Sequence, residues 1–402
     1  MRDSFKNVSA QNENKNWANM ISRKQKIYTR ANDVRSDFER DYTRILHCNA
    51  YRRLKHKTQV FFSPKSDHVC TRIEHVNYVE SISNTIAGYL GLNTQLTKAI
   101  AIAHDIGHSP FGHKGEKVLN EISKRDIGQG FWHEKNGVHF VDDIELLEDD
   151  KGDLRNLNLT YAVRDGIISH CGEIDENSIK PRSEFIDLSD YSYPNEYNPY
   201  TWEGCVVKVA DKISYIGRDL EDAIHLNLLG SQEISALKAI LNISDEKALN
   251  NPNLINEFII DICNNSSVEK GICFSKEKLD LINRIKEFNY KNIYAHPRLD
   301  ASNEYFSVII NRIYNTIKKC YGDGNVYGEL SKIEKFYPYT IETFKEWLQK
   351  YSNLTNRAET NYRNNVVYNL EDIKDYYRAI IDFIAGMTDN YAIDVYNEIL
   401  KF

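Results

Sequence analysis

The sequence predicts a mostly α-helical fold, and two observations predict it. Only 8 Pro and 19 Gly interrupt 402 residues, so helix breakers are scarce. Long amphipathic stretches lie between them, with apolar residues recurring three and four apart. The balance of 41% hydrophobic and 27% charged residues is that of an ordinary globular chain.

Residues 1–40 are polar, rich in Asn, Lys and Arg, and are expected to form a mobile arm running into a helix. From Asp41 to about Ile122 periodic apolar residues become dense. Ile73, Val76, Val79, Ile82, Ile86 and Leu90 mark the buried stripe of one helix, which Gly91 ends. Asn93-Thr94 can cap the next, with Leu96, Ile100, Ala103 and Ile106 inward and its end at Gly107. Residues 173–200, with their Ser-Asp and Tyr-Pro-Asn runs, read as a loop or insertion. A strong helix follows from about Glu203 to Leu228, and an Asn-Pro break falls near Asn250. From Leu254 to Phe402 helical periods alternate with polar turns. The expected organisation is an arm over 1–40, a helical core over 41–250 and a C-terminal helical extension over 251–402.

The net charge of −7 gives no support for a surface that coats nucleic acid broadly. A local basic run, Arg52-Arg53-Leu54-Lys55-His56-Lys57, still leaves room for an anionic substrate. The seven cysteines are scattered and never form CxxC, so they read as reduced core thiols. No signal-type run and no membrane-length apolar stretch is present, which makes a cytoplasmic protein the expectation.

Four residues stand out as metal ligands: His75, the His104-Asp105 pair, and Asp211. Imidazole with carboxylate suits borderline or hard divalent ions, and open sites of this kind do hydrolytic work. An antiparallel helix pair can bring His75 to His104-Asp105; Asp211 must arrive from a later helix. The stretch from His104 to Glu116 holds three His, an Asp, a Glu and three Gly in thirteen positions. A core helix has no use for so many ionisable groups, because burying them unpaired costs free energy.

Taken together, these motifs resemble the HD superfamily of metal-dependent phosphohydrolases, and within it the dGTPase-type deoxynucleoside triphosphate triphosphohydrolases. Asn49 to Phe61 is similar to the family's RRLKxKTQVF segment, and Thr71-Arg72-Ile73-Glu74-His75 to its TRxxH segment. His104 to Glu116 resembles HDxGxxPFGHxGE, with His108 as in eukaryotic relatives. Glu203 to Tyr215 resembles EGxVVRxADxIAY, and Asp382 to Ala392 resembles DYIAGMTDxYA.

The resemblance implies an HD-domain helical fold in which His75, His104, Asp105 and Asp211 hold one divalent ion. Mg²⁺ or Mn²⁺ is favoured, with Fe²⁺, Zn²⁺, Co²⁺ or Ni²⁺ as alternatives. It implies His113 as proton donor to the departing 5′-oxygen, with Glu116 three residues on to orient it. His108 is implied at the phosphate oxygens and His133-Glu134 as a further catalytic or phosphate-binding pair. Arg72 and Lys212 are the implied triphosphate contacts. Arg53 and Lys57 are weaker candidates, since an exposed basic run is usually a solvated face. Gln59, with Val60 beside it, and Asp219 are assigned to the sugar 3′-hydroxyl, and Tyr215 to crowding out a 2′-hydroxyl. Asp211, Tyr215 and Asp219 are four apart and so share one helix face.

The expected reaction converts a dNTP and water to a deoxynucleoside and inorganic triphosphate, with dGTP as default substrate. The alternatives are another HD phosphohydrolase (a nucleotidase or a cyclic-nucleotide or alarmone hydrolase) and a nucleotide or single-stranded nucleic-acid sensor. Expected partners are the dNTP, an allosteric nucleotide or single-stranded nucleic acid, and further copies of the chain in a homo-oligomer.

Overall fold

A computed structural model describes residues 3–26, 33–62, 66, 68–171, 177–244, 251–322 and 325–401. Its helices of seven or more residues begin with α1 (Asp37–His47), α2 (Arg72–Leu90), α3 (Thr94–Ala103), α4 (Gly112–Asp126) and α5 (His133–His139). They continue as α6 (Tyr161–Ile168), α7 (Trp202–His225), α8 (Ser231–Ile240), α9 (Asn251–Asn265) and α10 (Lys276–Asn289). The last five are α11 (Asp300–Lys318), α12 (Val326–Glu334), α13 (Pro338–Tyr351), α14 (Ile373–Ala385) and α15 (Asp389–Leu400). The only named strands among the described residues are a short antiparallel pair, β1 (Leu146–Glu148) and β2 (Leu154–Asn156), with Leu146 opposite Asn156. The fold is mostly α, as expected. No helix among the described residues is long and apolar enough to cross a membrane.

Local chemistry sets the helices that matter for the site. Thr71 and Glu74 form a capping box that starts α2, which places Arg72 and His75 in its first turn. Gly91, at φ 82°, ends α2 in the left-handed conformation. The Asn93 side chain accepts from the Gln95 and Leu96 amides and so begins α3. Thr201 caps the Gly204 amide at the start of α7. α2 packs against both α3 and α7, and α3 also meets α6 and α7. Val76, Val79, Ile86 and Leu90 are fully buried in that layer, each contributing about 1.5–3 kcal/mol through burial.

Two expectations need correction. The second helix ends at Ala103 instead of Gly107, leaving His104 to Gly107 in a turn. Gly107 lies so close to α5 that a Cβ there would stand 2.1 Å from the His133 carbonyl oxygen. The polar N-terminal segment is not a free arm, for Phe5, Ala10 and Met20 are buried. The Glu203 carboxylate accepts from the Ser9 hydroxyl and the Ala10 amide, fastening this segment to the start of α7. The stretch read as a loop, 173–200, is irregular from 177 onward except for one short turn at Leu188–Asp190, and it is pinned down. Arg182 pairs with buried Asp165, Ile179 bridges to Ile272, and Leu188 and Tyr191 are buried. Residues 172–176 and the expected break at 245–250 lie outside the described residues.

Candidate metal and catalytic centre

The four expected ligands converge. His75 Nε2 lies 3.0 Å from Asp211 Oδ1 and 3.8 Å from Asp105 Oδ2. His104 Nε2 lies 3.5 Å from Asp105 Oδ1 and 3.8 Å from Asp211 Oδ1. His75, His104 and Asp105 are buried, and the Asp211 side chain is nearly so. The His104 Nδ1–H donates to the Ala101 carbonyl at 2.6 Å, which fixes the tautomer. Its Nε2 lone pair is buried without a hydrogen-bond partner. A bare imidazole nitrogen facing two carboxylates and a second imidazole fits a divalent cation. These residues can hold one.

Asp105 also accepts from Arg72 Nη1 at 2.7 Å and from His108 Nε2 at 3.0 Å. Although burial resists its ionisation, His108, His104 and Arg72 together hold its carboxyl well below the usual carboxylate range. The neighbouring His108 is pushed well below the usual imidazole range, first by burial and then by the Arg72 and His133 charges.

A second group adjoins the first. His108 stacks on His133 with ring centroids 3.8 Å apart. His133 Nδ1 meets Glu116 Oε2 at 2.8 Å and Glu134 Oε2 at 3.5 Å. Burial opposes charge on His133, but Glu134 and Glu116 overcome it and raise its pKa to about 10. His113 stands at 3.9 Å from the same Glu116 oxygen, with its side chain 58% exposed. The sequence pairs Glu116 with His113; the folded chain gives it first to His133, the first residue of α5.

The C-terminal helices brace this loop. Asp389, the first residue of α15, accepts from the Thr58 amide at 2.9 Å and the Thr58 hydroxyl at 2.5 Å. Its other oxygen accepts from the Phe111 amide at 2.8 Å, where Phe111 adopts φ 64°. Lys57 is not on a solvated face: it is buried, and its ammonium donates to the carbonyls of His108 and Ala385. Gly115 permits the tight turn, since a Cβ there would lie 1.9 Å from the Pro110 oxygen. Arg53 is likewise committed elsewhere, bound to Glu145 at 2.6 Å.

Around the centre, Arg72 Nε and Nη2 are buried without hydrogen-bond partners, as is Gln59 Oε1. A Cβ on Gly112 would touch both Arg72 Nη2 and the Gln59 carbonyl, so these two residues adjoin the turn at Phe111-Gly112, and Val60 follows Gln59 in the chain. Lys212, Tyr215 and Asp219 lie on α7 beyond Asp211, with Lys212 and Asp219 buried. Burial raises the Asp219 pKa to about 7, against a 2.5 Å hydrogen bond donated by the Tyr294 hydroxyl.

Two residues of this centre escaped sequence reasoning. One is Tyr294, which lies in a turn far downstream of α7. The other is His170, which is buried and packs its ring 4.9 Å from His104 and 5.4 Å from His133. Its Nδ1–H donates to the Ile167 carbonyl at 2.6 Å, the same device that orients His104. A histidine closing an entirely buried helix was the available signal.

Residues 72–216 match the HD domain family, and residues 342–398 match the phosphohydrolase-associated domain. A deoxyguanosinetriphosphate triphosphohydrolase-like protein of Caldanaerobacter subterraneus subsp. tengcongensis is 33% identical over 368 residues, covering 91% of this chain and 86% of the relative. Proteins of the same name from Rickettsia bellii and Rickettsia prowazekii are each 32% identical, over 91% of this chain and 92% of each relative. The chain belongs to the deoxyguanosinetriphosphate triphosphohydrolase-like family of HD-domain phosphohydrolases.

Proposed function

We propose that the chain hydrolyses deoxynucleoside triphosphates, dGTP first among them, to the deoxynucleoside and inorganic triphosphate. The observation that carries this reading is the bare His104 Nε2 facing His75, Asp105 and Asp211, beside the unpartnered Nε and Nη2 of Arg72. The name of the relatives, deoxyguanosinetriphosphate triphosphohydrolase-like protein, supports dGTP.

His75, His104, Asp105 and Asp211 would hold one divalent ion, with Mg²⁺ or Mn²⁺ the metals to supply. Bound there, it supplies charge neutralisation at the α-phosphate and a more acidic water. Arg72 offers two unpartnered N–H groups to phosphate oxygens, and Lys212 adds a second buried cation. His133, kept protonated by Glu134 and Glu116, provides a fixed positive charge next to His108. The exposed His113 donates the proton to the departing 5′-oxygen, with Glu116 as its anionic neighbour. Gln59 and Asp219 take the 3′-hydroxyl: Gln59 Oε1 is an open acceptor, and Tyr294 orients the Asp219 carboxyl. Tyr215 covers the sugar face where a 2′-hydroxyl would project.

The test is incubation of the purified chain with each dNTP and NTP in Mg²⁺ or Mn²⁺, with products resolved by ion exchange. Deoxynucleoside with intact triphosphate is the expected outcome. Release of orthophosphate or pyrophosphate, or no reaction with mixed dNTPs present, would reject the reading.

A further inference from the structure

A cavity of about 440 Å³ lies apart from the residues of the metal centre; Arg53, Glu145, Trp347, Lys350, Tyr351 and Tyr391 are among its walls. Apart from Arg53, the weaker phosphate candidate that is bound to Glu145, none of the residues assigned above to metal, phosphate or sugar lines it. Its volume falls in the range of small-molecule sites. The cavity sits where β1 and β2 meet α13, α14 and the turn into α15. Gly386 and Thr388 complete it, next in sequence to Ala385 and Asp389, which brace the catalytic loop.

The lining has the composition of a ligand site. One wall is aromatic: Trp347 lies 4.7 Å from Tyr351 and 5.8 Å from Phe383, and Phe383 lies 6.4 Å from Tyr391, ring centre to ring centre. Flat apolar rings at these separations present faces and edges for another ring to pack on. The charges are few. Glu145 is satisfied on both oxygens, by Arg53 Nη2 at 2.6 Å and by the Asn49 amide at 2.7 Å, so this pair is internally neutral. Lys350 is left with only a distant carboxylate, Glu346 at 4.0 Å, outside the lining. The Arg53 Nε–H is buried with no acceptor, a deficit that folded proteins seldom leave without a ligand or water. One excess cation and one waiting donor match a single negative charge, and fall short of what a triphosphate needs.

We propose that this cavity is a second ligand site, specific for a small planar aromatic monoanion. The full-length protein is titrated calorimetrically with 1-naphthoate and, separately, with the neutral 1-naphthalenemethanol. Saturable one-to-one binding of naphthoate is expected, with the neutral compound weaker by about tenfold or more. Lys350→Ala, at a partly exposed position, is expected to weaken naphthoate by about tenfold or more. Leu146→Trp, which fills the cavity from β1, should abolish binding while the melting curve shows a folded chain. Absence of saturable binding at millimolar naphthoate would overturn the proposal. So would binding that Lys350→Ala leaves intact, or equal affinity for the neutral compound.

Discussion

Replacing Glu116 by Gln removes the carboxylate that faces His133 Nδ1 at 2.8 Å and keeps its shape. Opposite charges at that distance attract by roughly 6 kcal/mol at an effective dielectric of about 20. An imidazole with a pKa of about 10 instead of 6.5 is held protonated by roughly 5 kcal/mol. Glu134 at 3.5 Å contributes the largest single charge effect, and Glu116 adds its charge and the 2.8 Å hydrogen bond, so that both are needed to hold His133 protonated against the cost of burial. Glu116→Gln should lower the His133 pKa by about two or more, towards the neutral range. The assay is an NMR titration of the 12 histidines labelled at Cε1, in Mg²⁺ buffer, with the His133 signal identified by His133→Gln. The folded pKa stands above the unfolded value, so this stabilisation is complete below about pH 6.5 and is lost as pH rises through about 10. The stability gap between wild type and variant should accordingly be widest near neutrality and close towards pH 10. A His133 signal still titrating near pH 10 in the variant would refute the reasoning.

Three further substitutions test other parts of the centre. Asp105→Ala strands the buried Arg72 guanidinium, so it should cost about 3–5 kcal/mol in urea unfolding and abolish calorimetric Mn²⁺ binding; unchanged stability would contradict the pairing. Lys57→Met leaves the His108 and Ala385 carbonyls without their shared donor and should cost about 1–3 kcal/mol, read from thermal or urea melts. A variant as stable as wild type would show that Lys57 does not brace the loop. Under the proposed function, Tyr215→Ala should raise the NTP-to-dNTP ratio of kcat/KM by about tenfold or more, and an unaltered ratio would remove the steric role.

Much of the architecture was legible because its causes are local. The apolar stripe from Ile73 to Leu90, the Gly91 stop and the Asn93 cap are consequences of spacing and backbone preference within a few residues. The density of ionisable groups from His104 to Glu116 was equally readable, since nothing in a plain core helix explains it. The polar composition of residues 3–26 misled, because the Phe5 and Ala10 contacts and the Glu203 anchor depend on a helix two hundred residues away. Lys57 misled for the same reason: a basic run looks solvated until His108 and Ala385 are seen to surround its ammonium.

What the sequence by itself determined is the mostly helical class, three of the helices around the site, the candidate donors His75, His104, Asp105 and Asp211, and the family they resemble. Only the tertiary structure decided who pairs with whom: that Glu116 serves His133 before His113, that Asp105 is shared by Arg72 and His108, and that His170 belongs to the centre. It also decided that Arg53 faces a separate cavity and that Asp389 ties Thr58 to Phe111. Helix formation is settled over a few residues by propensity and capping, whereas an ion pair is chosen by which charges burial brings within about 3–4 Å, and that depends on how whole helices cross.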